Sequence, residues 1–225
     1  MKLSKETIEV LTNFASINPG LVFQAGSVLK TIHQQKTIMA TAKISESIPQ
    51  EFAVYDLGEF LNAINAFEDT ELEFQEKLVV LGNDVAKVYY TYANAETIVK
   101  PPSKAIKLPS AEVAFVLEDK ALRSALKMAG VLKMPNVALV GRDGVSYISA
   151  IDTAKDDSKR FEYKVGEAKK DYRMVFRVEN LKLLPRDYDV EVTSKGVSFF
   201  KSKSGDVEYF IATETTGSSY GKDAA

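Results

Sequence analysis

The sequence predicts an α+β chain of two similar domains, each with two helices gathered on one face of antiparallel sheets. Two observations lead there. In the stretch 52–67 an aromatic and β-branched run (Phe52, Val54, Tyr55) passes directly into apolar residues at helical spacing (Leu57, Phe60, Leu61, Ile64), and a weaker copy returns about 120 residues later at 172–184, where Met174, Val175 and Phe176 lead into Val178, Leu181 and Leu184. The echo then continues: runs at 72–74 and 78–81, a Gly-Asn-Asp turn and a run at 85–92 parallel runs at 188–192 and 196–200, a Ser-Gly-Asp turn and a run at 207–213. A duplicated unit in 225 residues favours two domains of roughly 110 residues, each large enough to bury a core.

Taken in order, Ser4 is an N-cap for a helix over 5–16, with Ile8, Leu11, Phe14 and Ala15 as its apolar stripe and Asn18-Pro19-Gly20 as its stop. Strand-like runs follow at 21–23, 28–32 and 38–44, separated by Ala-Gly-Ser and Gln-Gln-Lys. The 52–67 stretch supplies a further strand and the second helix, and a hairpin completes a first domain over 1–92. Residues 93–110 hold three prolines and no sustained period, so they read as an extended connector. The second domain, 111–214, restarts with a strand at 113–117 and a helix at 118–129 that turns Leu122, Ala125, Leu126 and Ala129 inward. Asp143-Gly144 then joins strands at 137–140 and 145–151 as a hairpin. A charged loop at 152–160, a strand at 161–165 and the echoed strand-into-helix follow, and 215–225 reads as a polar, mobile tail.

Apolar residues make up 45% and charged residues 27% of the chain, the balance of a globular protein. No run approaches the roughly 18 apolar residues a membrane helix needs, and Glu6 and Glu9 interrupt the basic start, so no signal peptide is expected. Zero Cys excludes disulfides and thiolate metal sites and fits a reducing cytoplasm. With 29 basic and 31 acidic residues the net charge is −2, which excludes a nucleic-acid grip by bulk charge. Residues 1–109 carry 10 basic against 13 acidic groups and residues 110–225 carry 19 against 18, so any DNA affinity must come from a local stripe or from geometry.

Catalytic chemistry is thinly provided. His33, the single histidine, lies in a polar turn beside Gln34 and Gln35 and reads as a surface residue. The acidic groups at 68–73 and at Asp152, Asp156 and Asp157 read as solvated carboxylates, not as an acid–base pair or a Mg²⁺ site. The segment from Gly217 to Lys222 falls one residue short between its glycines and lacks a Ser or Thr after Lys222, so it is not a phosphate loop. No cofactor and no metal are expected. The positive signal is a stripe of Lys120, Arg123 and Lys127 at i, i+3 and i+7 opposite Leu122 and Leu126, with Lys133 beyond. Taken alone it fits a solvated helix face better than a DNA contact, and nothing in it reads bases. In the connector, Ile98, Val99, Ile106 and Leu108 either pin the segment to the sheets or roof a groove for a partner's peptide.

Residues 1–5 (Met-Lys-Leu-Ser-Lys), Asn13-Phe14-Ala15, Ile17-Asn18, the Val54-Tyr55-Asp56-Leu57 run with Phe60-Leu61, and Thr97-Ile98-Val99 with Lys104, Ile106 and Pro109 resemble the sliding clamps, or DNA polymerase processivity factors, of T-even-type bacteriophages. The resemblance runs through nearly the whole chain and implies a ring of six clamp-type domains from a homotrimer, with helices lining a hole that double-stranded DNA passes through. It implies a DNA face of Lys5, Lys120, Arg123, Lys127 and Lys133, with Arg177 and Lys182. It also implies a groove lined by Ile98, Val99, Ile106, Leu108 and Ile211 for apolar tails of the DNA polymerase and other replication proteins. An ATP-driven clamp loader would open the ring, which itself turns nothing over and works in the host cytoplasm. The first helix has Thr12 where the family implies a basic residue, with Glu9 beside it, and the helix within 52–67 carries no Lys or Arg, so the second domain is expected to supply most of the charge. The alternative is a monomeric peptide-binding scaffold of the same fold.

Overall fold

Ser4 starts the first helix. In the computed structural model, which describes residues 1–104, 106–155 and 159–221, its hydroxyl accepts from the Thr7 N–H at 3.2 Å and caps α1 (Lys5–Ile17). Glu46, reaching over from a neighbouring strand, accepts from the Ser4 N–H and the Thr7 hydroxyl and sets a carboxylate against the positive end of the helix. The helix ends where Asn18, buried at its C-cap, donates to the Ile32 carbonyl at 2.9 Å and accepts from the Gly20 N–H at 3.0 Å.

The chain divides at Lys104 into two units. In the first, β1 (Leu21–Phe23) pairs with β4 (Phe52–Val54), β2 (Gly26–Ile32) with β3 (Ile38–Ile48), and β5 (Glu71–Phe74), β6 (Leu78–Gly82) and β7 (Lys87–Thr91) form an antiparallel meander. Between β4 and β5, α2 (Leu57–Asn65) starts at Asp56, whose carboxylate accepts from the Glu59 N–H. α1 packs on α2 and on β3. The core is aromatic: Phe52 stacks flat on Phe23 at 4.3 Å and touches Phe60, Phe74 and Tyr92.

The second unit opens with β8 (Val113–Leu117) and α3 (Asp119–Leu132), which packs across β9 (Asn136–Arg142), β10 (Val145–Ile151) and β11 (Phe161–Glu167). Asp143 and Gly144 both take positive φ, 53° and 78°, the two-residue turn that the right-handed twist of the β9–β10 hairpin requires. β12 (Tyr172–Arg177) joins the far side of β9 and is itself joined by β16 (Glu214–Tyr220). A second sheet pairs β8 with β13 (Tyr188–Val192), then β14 (Val197–Ser202), then β15 (Val207–Ala212). The β13–β14–β15 meander answers β5–β6–β7, and helix-plus-hairpin answers helix-plus-hairpin, so the repeat read from the sequence is a repeat of topology.

Two expectations are corrected. The second copy of the strand-into-helix ends in a single 3₁₀ turn, Val178–Asn180, leaving three α-helices among the described residues where four were expected. Leu181, Leu183 and Leu184 are all buried, positions that no single helix face brings together, and distant side chains take their backbone groups: Arg123 at the Leu183 carbonyl, Tyr209 and Tyr188 at Leu184. The supposed tail is strand β16 over most of its length. Main-chain pairing, the Ser218 hydroxyl accepting from the Val175 N–H and the Glu214–Arg177 ion pair hold it, none of which needs apolar alternation. Asp156, Asp157 and Lys222 lie outside the described residues.

Burial alone would raise the Glu46 carboxyl, but hydrogen bonds from Thr7 and Ser4 outweigh it and hold the group below its ordinary 4.5. A carboxylate depressed by folding stabilises above its unfolded value, and that contribution is lost as pH falls through the folded value. Glu46→Gln is therefore expected to cost about 1 kcal/mol near neutral pH, the usual scale of a lost helix cap, with the difference from the parent closing below about pH 4, as read by urea unfolding across a pH series.

Candidate nucleic-acid face and connector cleft

α3 buries Ala121, Leu122, Ala125 and Ala129 and turns Lys120, Lys127 and Val131 to solvent. Its last turn closes at Lys133, whose left-handed backbone (φ 56°) lets its N–H reach the Gly130 carbonyl while the Met134 N–H bonds to Ala129. Lys120, Lys127 and Lys133 are exposed and have no ion pair among the described residues. They are uncommitted charge on one element. The register that sets Ile151 opposite Asn136, with the Thr153 hydroxyl bonded to the Asn136 side chain, brings Lys155 to the same end of the sheet. That lysine was missed from sequence because it is adjacent only through the hairpin.

Arg123 differs. Its Nε pairs with Asp119 at 2.9 Å and its Nη2 donates to the Leu183 carbonyl at 2.9 Å, so two of its donors are spent inside the unit. Arg177 pairs with Glu214 at 2.8 Å and Glu179 at 3.4 Å, and the Glu214 hydrogen bond and charge hold its guanidinium proton above the ordinary value. Lys182 is half-buried on the segment that replaces the expected helix. Lys5 is exposed on α1, where the same outward face carries Glu9 and Thr12. Of the seven predicted basic residues, α3 and its C-cap therefore bring together Lys120, Lys127 and Lys133 as free charge, with Arg123 as a partly committed neighbour.

The candidate groove residues also separate. Ile98 is buried against Gly20, where an added Cβ would stand 3.1 Å from the Ile98 side chain, so Ile98 pins the start of the connector. Val99 is exposed and, with Val22, Val28 and Pro101, lines a cleft of about 300 Å³ in the first unit. Ile106 is exposed and Leu108 half-buried at the start of the second unit. Ile211 is fully buried: it shares the inward face of β15 with Val207 and Tyr209, and is unavailable to a partner. Phe210 occupies the other face, packed on Phe199 at 4.8 Å, a difference already legible in the period of two.

Comparison with known proteins finds the "DNA polymerase processivity factor" family model over residues 4–100 and the "gp45 sliding clamp, C terminal" model over residues 114–215. The sliding clamp of Vibrio phage KVP40 is 40% identical over 95% of this chain and 99% of its own, and that of Escherichia phage RB69 is 30% identical over 95% and 97%. Among solved structures, A. fulgidus PCNA bound to the C-terminal region of FEN-1 superposes with a TM-score of 0.68 at 14% identity, covering 92% of this chain and 94% of that one.

Removing Arg123 would leave the buried Leu183 carbonyl without its donor. Arg123→Ala is expected to destabilise the second unit by about 2 kcal/mol, whereas Lys127→Ala stays within about 0.5 kcal/mol of the parent, both measured by chemical denaturation.

Proposed function

This chain belongs to the sliding-clamp family of DNA polymerase processivity factors, and from that premise we propose that three copies close into a ring around double-stranded DNA and tether the polymerase without reading sequence. The observation that carries the reading is the uncommitted basic face of α3 in a chain whose net charge is only −2. Such a protein cannot hold DNA by bulk charge, but a ring holds it by topology and needs only enough inner charge to tolerate phosphates while it slides.

Closure asks for two different surfaces on each copy, since a ring of like subunits is built head to tail. Each unit offers a strand edge: β7 ends the three-stranded meander of the first, and β11 ends the five-stranded sheet of the second. β7 also exposes Tyr89, an apolar ring on an open edge, which monomers seldom leave uncovered. Pairing of β7 with β11 of the next copy accounts for both edges.

The two units share the DNA work unequally in this reading. α2 carries no Lys or Arg and α1 offsets Lys5 with Glu6 and Glu9, so Lys120, Lys127 and Lys133, with Lys155 at the rim, meet the phosphates. The exposed connector around Val99 receives peptide tails of the polymerase and other replication partners, and an ATP-driven loader opens the ring in the host cytoplasm. The clamp's own role is mechanical, with no bond made or broken.

Light scattering is expected to give a mass near three times 24.8 kDa at high micromolar concentration; a strict monomer there would leave only a scaffold of the same fold. Replacing Lys120 and Lys127 by Ala should leave that mass unchanged and lower the slope of log binding against log salt by about one per lost phosphate contact. An unchanged slope would remove these lysines from the DNA face.

A further inference from the structure

The turn between β6 and β7 holds an apolar side chain out in solvent. Val85 at its tip is 94% exposed, and the turn that carries it is stiff. The Asn83 N–H bonds to the Ala86 carbonyl at 3.0 Å, and the Asn83 side chain accepts from the N–H groups of Val85 and Ala86 at 2.9 and 3.1 Å. Gly82, at φ 149°, lets the chain close this tightly, because an added Cβ would collide with the Ala86 carbonyl oxygen. Asp84 beside the tip is exposed and makes no ion pair among the described residues.

Strand alternation decides where this tip goes when β7 meets β11 of the next copy. The Asn83 N–H at Ala86 and the Tyr92 N–H at Lys77 set the phase of β6 with β7, so Lys87, Tyr89 and Thr91 turn their N–H and C=O groups to the open edge. The Asp143-Gly144 turn sets the phase of β9 with β10, and the Ala168 N–H at the Gly144 carbonyl continues it to β11. Glu162, Lys164 and Glu167 are therefore the outward residues of β11, a bulge opposite Ser146 and Tyr147 supplying the extra residue between the last two. An antiparallel junction, like the strand pairs within both sheets, can set Tyr89 opposite Lys164, which brings Thr91 to Glu162 and Lys87 to Glu167. A step in either direction sets Lys87 against a lysine, Lys164 or Lys169, and like charges directly opposite destabilise a pair. The favoured register lays Asp84 and Val85 alongside the turn that holds Ala168, Lys169 and Lys170.

Behind that turn the second unit has a cleft of about 220 Å³, lined by Val113 and Phe115 of β8, the rings of Tyr172 and Tyr220, and Lys169 and Lys170. Lys170 rests over the Tyr220 ring at 5.7 Å, and neither lysine has an ion pair among the described residues. Of the carboxylates at the cleft, Glu112 already accepts from Ser194, and Glu167 is the group that Lys87 meets.

We infer that Val85 of each copy seats in this cleft of the next, with Asp84 against Lys169 and Lys170, so that a hairpin tip latches every junction of the ring beside the paired strands. The inference rests on the reading of closure through β7 and β11, and deepens it by naming the residues that one copy inserts into another. A second copy is favoured over any other occupant because the strand pairing itself delivers the tip to the cleft, with opposite charge on the two sides.

The chain has no cysteine, so an engineered disulfide reports this contact alone. Val85→Cys with Lys169→Cys, oxidised at high micromolar concentration, should give covalent dimers and trimers on a denaturing gel, whereas Val85→Cys with Ser204→Cys on the β14–β15 turn should run as monomer. Val85→Ser should weaken each junction about tenfold in light scattering over a dilution series, with the urea midpoint of the monomer unchanged. Asp84→Lys should weaken the trimer at low salt, and Lys169→Asp with Lys170→Asp in the same chain should restore it. A trimer that forms no disulfide between positions 85 and 169, equal cross-linking in both cysteine pairs, indifference to Val85→Ser, or a charge swap without rescue would each overturn the inference and leave the ring standing. A parent chain that stays monomeric would overturn both.

Discussion

The basic face of the second unit depends on one guanidinium. Arg123 sits on α3 among the lysines, yet it points back to the Leu183 carbonyl and braces Asp119 at the start of its own helix. The Asp119 N–H in turn donates to the Asp187 carboxylate at 2.8 Å, so both the first turn and the middle of α3 are tied to one loop. That loop is itself held from inside: Tyr188 donates to the Leu184 carbonyl, Tyr209 accepts from the Leu184 N–H, and Arg186 pairs with Asp206. Burial pushes both tyrosine hydroxyls above their ordinary range, so they stay protonated hydrogen-bonding groups at any pH near neutral. The residue with the most suitable chemistry for phosphate is thus spent largely on positioning, and the plain lysines beside it are left free.

On the function proposed above, this division suits a protein that holds DNA without gripping it. A committed bidentate arginine on the DNA face would fix one register, whereas flexible, hydrated lysine ammonium groups make contacts that are cheap to break and remake during sliding. In the first unit α1 and α2 carry Lys5 against Glu6, Glu9 and Glu59, so these helices are mildly acidic where α3 is basic. The two units share a topology and differ in the charge of their helices.

Much of the fold was legible because it rests on local rules. Ser4, Asp56 and Asp143-Gly144 each do what their side chains or backbone freedom dictate within a few residues, and the duplicated strand-into-helix marked the repeat. The failures share a cause: each depends on partners far away in sequence. The segment 178–184 has helical spacing, but its carbonyls and amides are claimed by Arg123, Tyr188 and Tyr209, and its leucines are buried all round. β16 is polar enough to read as a tail, yet β12 supplies its hydrogen bonds. The acidic and carbonyl partners of Arg123 and Arg177 decide what these guanidinium groups do, and of those partners Asp119, four residues away on the same helix, lies at a spacing that hinted at it. Ile211 was the avoidable error, since the alternation of Val207, Tyr209 and Ile211 already placed it inside.

The central claim is that this clamp holds DNA by enclosing it. The most direct measurement is retention of loaded protein on a nicked circular plasmid before and after the circle is cut. Enclosure predicts stable retention on the circle, rapid loss once ends are created, and rescue when the ends are blocked by bulky bound proteins. Retention that is indifferent to cutting would contradict it, and would return the basic face of α3 to an ordinary solvated surface.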